Sequence, residues 1–279
     1  MISRDLIKFS AYNQMYQVKT SHPNFNEIKY LLSSGKTRAA VTSYNKGLSK
    51  TVKSGFITKD NNFYYKGQKL PIIFAKLYKD VMQYPNQLSY LTKFFDSVLA
   101  NPSRISVQSF GDFIEKRRMP ITDRGTFLAY KRINGAWCDS HTGNVFNKPA
   151  ELMSQEELSR YSQPQTTNRG DVVQVKDGYT NISMARERVN PDQNQNCSTG
   201  FHACSYEYLG SFVDERLVIV EIKPEHVVSV PSDYSYSKMR VCEYTVLCTG
   251  NKFRDIVGSK AQDILGSIPL FITSKNGFK

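Results

Sequence analysis

PITDRGTFLAYKRI, residues Pro120 to Ile133, is the stretch at which this chain changes character. Asp123-Arg124-Gly125 is a turn signal, because Asp bonds its own backbone and Gly tolerates positive φ. Thr126 to Ile133 then runs as β-branched, aromatic and apolar residues, the composition of a buried strand. Upstream the pattern is helical and basic; downstream it is rich in strands. The expectation is an α+β protein, with a basic, mainly helical domain and a small hairpin over residues 1–119, a mostly antiparallel sheet domain over 120–258, and a C-terminal tail over 259–279. The strands expected at Thr126 to Ile133, Arg216 to Ile222 and Val241 to Leu247 should share one sheet.

Charge divides the chain in the same way. Residues 1–120 carry 19 Lys/Arg against 7 Asp/Glu, and the remainder carries 18 of each, so the net charge of +12 lies entirely before the pivot. Such asymmetry points to an anionic partner for the first part, either nucleic acid or an acidic membrane surface. With 40% hydrophobic and 12% aromatic residues, the 279-residue chain has the material for a substantial core. No apolar run approaches the roughly 18 to 20 residues of a membrane-spanning helix, and Met1 to Asp5 leads into no signal-peptide core, so a cytosolic protein is expected.

Before the pivot, Ile7 to Thr20 alternates as short strands, and Phe25, Ile28, Leu31 and Leu32 form a helical stripe stopped by Gly35. Thr37 to Tyr44 suggests a second helix, and Gly55 to Leu70 a hairpin. Three helices follow between Ile72 and Arg118, split at Pro85 and Pro102. The last of them, Ser103 to Arg118, carries its basic groups at its C-terminal end, where they suit the helix dipole better than a DNA-reading face. After the pivot, Asn134-Gly135 predicts a tight hairpin returning through Ala136 to Asp139.

Candidate site residues gather near the predicted strands. Tyr130, Lys131, Arg132, Asp139, His141, His202, Lys238, Arg240 and Glu243 are expected to form a polar rim that recognises a partner or small anion without turning it over, since no nucleophile with its base is evident. Five cysteines, an odd and irregular set, suit a reducing compartment without an obligatory disulfide. Cys197, His202 and Cys204 have zinc-ligand chemistry, but a structural site needs four ligands and no CxxC pair is present, so no metal is expected.

Four separated blocks carry a family resemblance: PITDRGTFLAYKRI, CDSHTGNVFN, CSTGFHACSYEYL and VEIKPEHVVSVPSDYSYSKMRVCEYTVL. They resemble the core of the phage rIIB-like family, and HPNFNEIKYLLSSGK with NPSRISVQSFGDFIE resembles its N-terminal part. The resemblance implies an early phage protein, without cofactor, acting with an rIIA-like partner in the host cytoplasm at the inner face of the membrane. Lysis timing and protection against prophage exclusion or host defence would be its business. GFHACSYEYL, LVIVEI and CEYTVL are also similar in outline to an ADP-ribosyltransferase core, which implies NAD as cofactor, Tyr206 or Tyr208 stacking nicotinamide, and Glu243 orienting ribose. A nucleic-acid-binding protein, binding without sequence preference, is the remaining alternative.

Overall fold

The computed structural model describes residues 6–12, 14–20, 22, 24–51, 55–59, 62–81, 88–117, 119–139, 145–211, 216–232, 235–252 and 271–272. Its contacts divide the chain into two units, Met1–Leu88 and Ser89–Lys279.

The first unit begins with an antiparallel hairpin, β1 (Leu6–Ala11) and β2 (Gln14–Lys19). Helices α1 (Phe25–Ser33) and α2 (Thr37–Thr51) follow. Ile7, Tyr16, Val18, Phe25, Ile28, Ala40, Val41 and Tyr44 close a small core between hairpin and helices. Gly35, at φ +71°, ends α1: its N–H donates to Leu32 O at 3.1 Å and that of Lys36 to Leu31 O at 2.8 Å, the paired bonds of a glycine-stopped helix. A three-stranded antiparallel meander, β3 (Phe56–Lys59), β4 (Asn62–Tyr65) and β5 (Gln68–Leu70), leads into α3 (Ile73–Val81). Five strands thus share this unit with three helices among the described residues, so it is mixed rather than the mainly helical domain expected.

The second unit opens with α4 (Leu88–Ala100) and α5 (Arg104–Arg117), then β6 (Ile121–Thr122) and β7 (Phe127–Ile133). Next come α6 (Gln155–Tyr161), β8 (Gln165–Thr166), β9 (Val172–Lys176), β10 (Tyr179–Ser183), β11 (Phe201–Cys204) and β12 (Arg216–Ile222). The last are β13 (Val227–Ser229), β14 (Lys238–Val241), β15 (Glu243–Thr249) and β16 (Phe271–Ile272). One sheet takes the order β13-β14-β11-β7-β12-β15-β10-β9-β8, every neighbouring pair antiparallel, with β6 beside β7 and β16 parallel to β6. The three strands expected to share a sheet are adjacent, as β7, β12 and β15. Because β14 and β15 are one run interrupted only at Cys242, yet stand at opposite ends of the path β14-β11-β7-β12-β15, the sheet curls back on itself.

Helices α4 and α5 belong to the sheet, which moves the division some thirty residues ahead of the boundary expected at 119/120. Rings of Phe94, Phe110 and Phe127 form a chain from α4 through α5 to β7, with centroids 5.9 and 5.0 Å apart. Asn101 Nδ2 donates to Pro224 O and Val227 O at 2.9 and 2.8 Å, and Ser106 Oγ to Val228 O at 2.6 Å, which seals the β13 edge. The change in charge pattern near residue 120 marks no boundary in packing.

Asn134-Gly135 does form a tight turn, but no partner strand returns along β7. The Asn134 side chain accepts from the N–H groups of Ala136 and Cys138 at 3.0 and 2.9 Å, and Cys138 bridges to Phe146 instead. Strands β11 and β12 already occupy both edges of β7. The expected tail contributes only β16 to the described residues, where no helix is long and apolar enough to cross a membrane.

Gly125 closes the β6–β7 turn at φ +80°, and a Cβ there would lie 2.5 Å from the Lys93 backbone. Gly125→Ala should therefore cost about 2 kcal/mol or more, combining left-handed strain with a backbone clash, measured by urea unfolding.

Candidate functional site

Strand β7 is covered on both faces, so its one lysine lies inside the protein. Lys131 is 4% exposed. Its ammonium pairs with buried Asp139, donates to His202 O at 2.9 Å and stands 5.7 Å from the centroid of the Tyr244 ring. Tyr244 in turn donates to Asn147 Oδ1, and burial raises its hydroxyl well above the usual tyrosine value. This is an internal polar cluster that anchors the loop after β7 to the sheet.

Arg240 is 1% exposed and holds the 190–195 loop. Its Nε donates to Asn190 O at 2.9 Å, one terminal nitrogen to Gln195 O at 2.5 Å, and the other to Asp192 O and to Ser229 Oγ, the last at 2.9 Å. Lys238, also buried, stands 5.6 Å from the Tyr208 ring centroid. The expected surface rim is therefore largely interior: Lys131, Asp139, Lys238 and Arg240 are buried, as is Tyr130, whose ring meets Tyr206 edge-on at 5.6 Å. Arg132 and His202 are half-buried, with His202 Nε2 at 3.1 Å from Ser198 O, and His141 lies outside the described residues. Strands placed in one sheet suggested a shared rim; the curled sheet covers most of it.

Tyr206 and Tyr208 follow β11, whose last residue Cys204 faces Lys238. Glu243 lies five residues beyond Lys238, on the order of 15 Å further along the β14–β15 run, so the transferase-like trio is not brought together. Cys197 is exposed, whereas Cys204 is buried and its thiol is pushed up to about 12 by desolvation. Among the described residues no three His, Cys, Asp or Glu side chains form a group that could hold a metal ion.

An open polar cleft of about 230 Å³ lies on the β10-β15-β12 face. Register places Asn181, Thr245 and Glu221 in one row across these strands, and Thr245 Oγ1 donates to Asn181 Oδ1 at 2.8 Å. Glu221, 8% exposed, receives a fork from Arg124: Nε at 2.9 Å and a terminal nitrogen at 2.5 Å. Thr126 Oγ1 donates to the same carboxylate, and Arg124 also stands 5.8 Å from the Tyr179 ring centroid. At the other end His226 Nε2 is 3.5 Å from Glu225 Oε1 and 3.8 Å from Glu243 Oε2. Burial lowers the His226 pKa below its ordinary value, outweighing those carboxylates, so the ring is neutral at pH 7. Of these residues only Glu243 was singled out from sequence. The signals for the rest were Asp177-Gly178, a hairpin dipeptide joining β9 to β10, and Glu221 inside the otherwise apolar run LVIVEI.

In the first unit a broader hollow of about 740 Å³ runs along α1 and α2. Arg38, Thr42 and Lys46 are exposed on successive turns of α2, a helix whose sequence contains no Asp or Glu.

The family model described as "Bacteriophage T4 protein rIIB" matches residues 2–168 and 158–266, which takes in both units and every residue of the cleft. The chain belongs to this family. Protein rIIB of Enterobacteria phage T4 is 28% identical over 231 residues, 81% of this chain and 65% of that protein, so the chain spans less than two thirds of this rIIB relative. No solved structure matches.

Asp139→Asn should leave the Lys131 ammonium buried without its counter-charge and cost about 3–5 kcal/mol in urea unfolding, against less than about 0.5 kcal/mol for Glu243→Gln on the half-exposed lip. His226 supplies a pH test. Its folded pKa is depressed, so its contribution is complete above the unfolded value of about 6.5 and is lost as pH falls through that value toward the lower folded one. His226→Gln should flatten this acid limb of stability in a pH series of urea melts.

Proposed function

We propose that this chain acts as a non-enzymatic, rIIB-type early phage protein, working with an rIIA-like partner at the inner face of the host membrane in lysis timing and in protection against prophage exclusion or host defence. Membership of the rIIB family along most of the chain carries this reading. Charge supports the membrane surface: residues 1–88 hold 14 Lys/Arg against 4 Asp/Glu, so that most of the surplus resides in the first unit. Basic groups near an acidic leaflet are worth about 1 kcal/mol each and are screened within a Debye length. Tyr12 and Met15, 57% and 60% exposed beside the β1–β2 turn, add apolar contact of the kind that interfaces favour.

One observation favours a second reading, nucleic-acid binding. Helix α1, the three-residue turn at Gly35 and the acid-free α2 with its Arg38, Thr42 and Lys46 stripe have the order and charge of a helix pair that grips duplex phosphate. Flotation of purified protein with vesicles, in parallel with binding to duplex DNA of mixed sequence, separates the two. The membrane reading expects flotation with acidic but not neutral lipid, weakening as salt rises, and loss in Arg38→Glu/Lys46→Glu. Equal flotation with neutral lipid sinks it, and tight DNA binding without flotation promotes the second reading.

A further inference from the structure

We propose that the cleft on the β10-β15-β12 face binds one ring of a neutral sugar, holding its hydroxyl groups between carboxylates and cations. Among the described residues that line it stand three cations, Arg124, Lys176 and Lys223, and three carboxylates, Asp177, Glu221 and Glu243. Both signs occur at each end. Exposed Lys176 and Asp177 are neighbours where β9 turns into β10, and Tyr179, the register partner of Lys176, has the Arg124 guanidinium 5.8 Å from its ring centroid. At the other end Glu243, its side chain 44% exposed, stands near His226, whose neighbour Glu225 lies 3.6 Å from the Lys223 ammonium. An ion of either sign gains from one group and loses to the next, so the lining as a whole favours neither anions nor cations.

That balance selects the polar groups of the ligand. A hydroxyl oxygen donates one hydrogen bond and accepts others at the same atom, so it can bridge a carboxylate and the cation next to it. An amide divides donor and acceptor between two atoms, and an ionised carboxylate only accepts. Pairing within the cleft leaves the required groups in place. The Glu221 fork takes Arg124 Nε and one terminal nitrogen, which leaves the other terminal nitrogen on a side chain 40% exposed. Thr245 Oγ1 donates to Asn181 Oδ1 and keeps its own oxygen as an acceptor on the floor between the ends. At about 230 Å³ the hollow falls below the roughly 300 to 1,000 Å³ of drug-sized sites, which limits the ligand to about one sugar ring. Solvation would account for Lys176, Asp177 and Glu243 one by one; their convergence with the Thr245–Asn181 floor on one hollow is what a ring of hydroxyl groups answers.

The test is a saturation-transfer NMR titration of the full chain with glucose, galactose and N-acetylglucosamine, with glucuronate and glucose 6-phosphate as charged counterparts. Asp177→Asn and Glu243→Gln each remove a carboxylate without breaking a buried ion pair, and Asn tolerates the left-handed φ of +53° at position 177. Lys69→Gln, exposed on β5, is the control. Thermal melts confirm that each variant is folded. At least one neutral sugar should bind saturably, with a Kd of about 10 mM or tighter. Each cleft variant should weaken it about threefold or more, with Lys69→Gln unchanged. Absence of saturable binding by all three sugars overturns the site, as does binding that both cleft variants leave intact. A charged counterpart bound about tenfold more tightly than the neutral sugar overturns the balanced lining as the basis of recognition.

Discussion

Strand β7 is paired along its whole length with β12, from Ile133 opposite Arg216 to Phe127 opposite Ile222, and the second unit is arranged around this ladder. Six of the seven β7 residues are buried, which requires cover on both faces. On one side the aromatic chain Phe94, Phe110 and Phe127 ties the helices to the strand. The turn entering β7 must then pass so close to α4 that only glycine fits at 125. Lys131, placed in the strand by sequence, has nowhere to go but inward, and Asp139 with the Tyr244 ring makes that position tolerable.

The second constraint is the continuity of β14 and β15. A run that begins beside β11 and ends beside β12, with three strands between, forces curvature, and curvature decides which faces are wet. Inside it, Phe201 and Tyr244 meet edge-on with centroids 5.3 Å apart. The interior therefore absorbs charged groups that a flat sheet would display, and Arg240 is spent on backbone carbonyls of the 190–195 loop. On the β10-β15-β12 side, by contrast, Glu221, Thr245 and Asn181 stay at the bottom of a hollow.

The two units consequently differ in how they use charge. In the second, carboxylates and cations largely neutralise one another through specific pairs such as Arg124–Glu221, Lys131–Asp139 and Arg188–Asp171. The first carries its surplus outward, along a helix free of acidic residues. The surplus that acts at long range belongs to the first unit, whereas the cleft on the β10-β15-β12 face belongs to the second.

Local signals were enough to determine much of this protein. Gly35 stops α1 because only a residue at ease with positive φ closes that turn. Asp123-Arg124-Gly125 and the apolar run after it specify β7, and Ser154 with Glu157 caps α6. The blocks that carry the rIIB resemblance were readable for the same reason: they are contiguous. Tertiary structure alone decided the division at Leu88, because Phe94 and Phe110 show their partner strand only once the chain is folded. It alone decided that Lys131, Lys238 and Arg240 turn inward, since strand alternation says which residues share a face but not whether that face meets water. The cleft, too, joins Arg124, Tyr179, Glu221 and Glu243 from separate segments that span 119 positions of the sequence, a juxtaposition set by sheet order and curvature rather than by any local pattern.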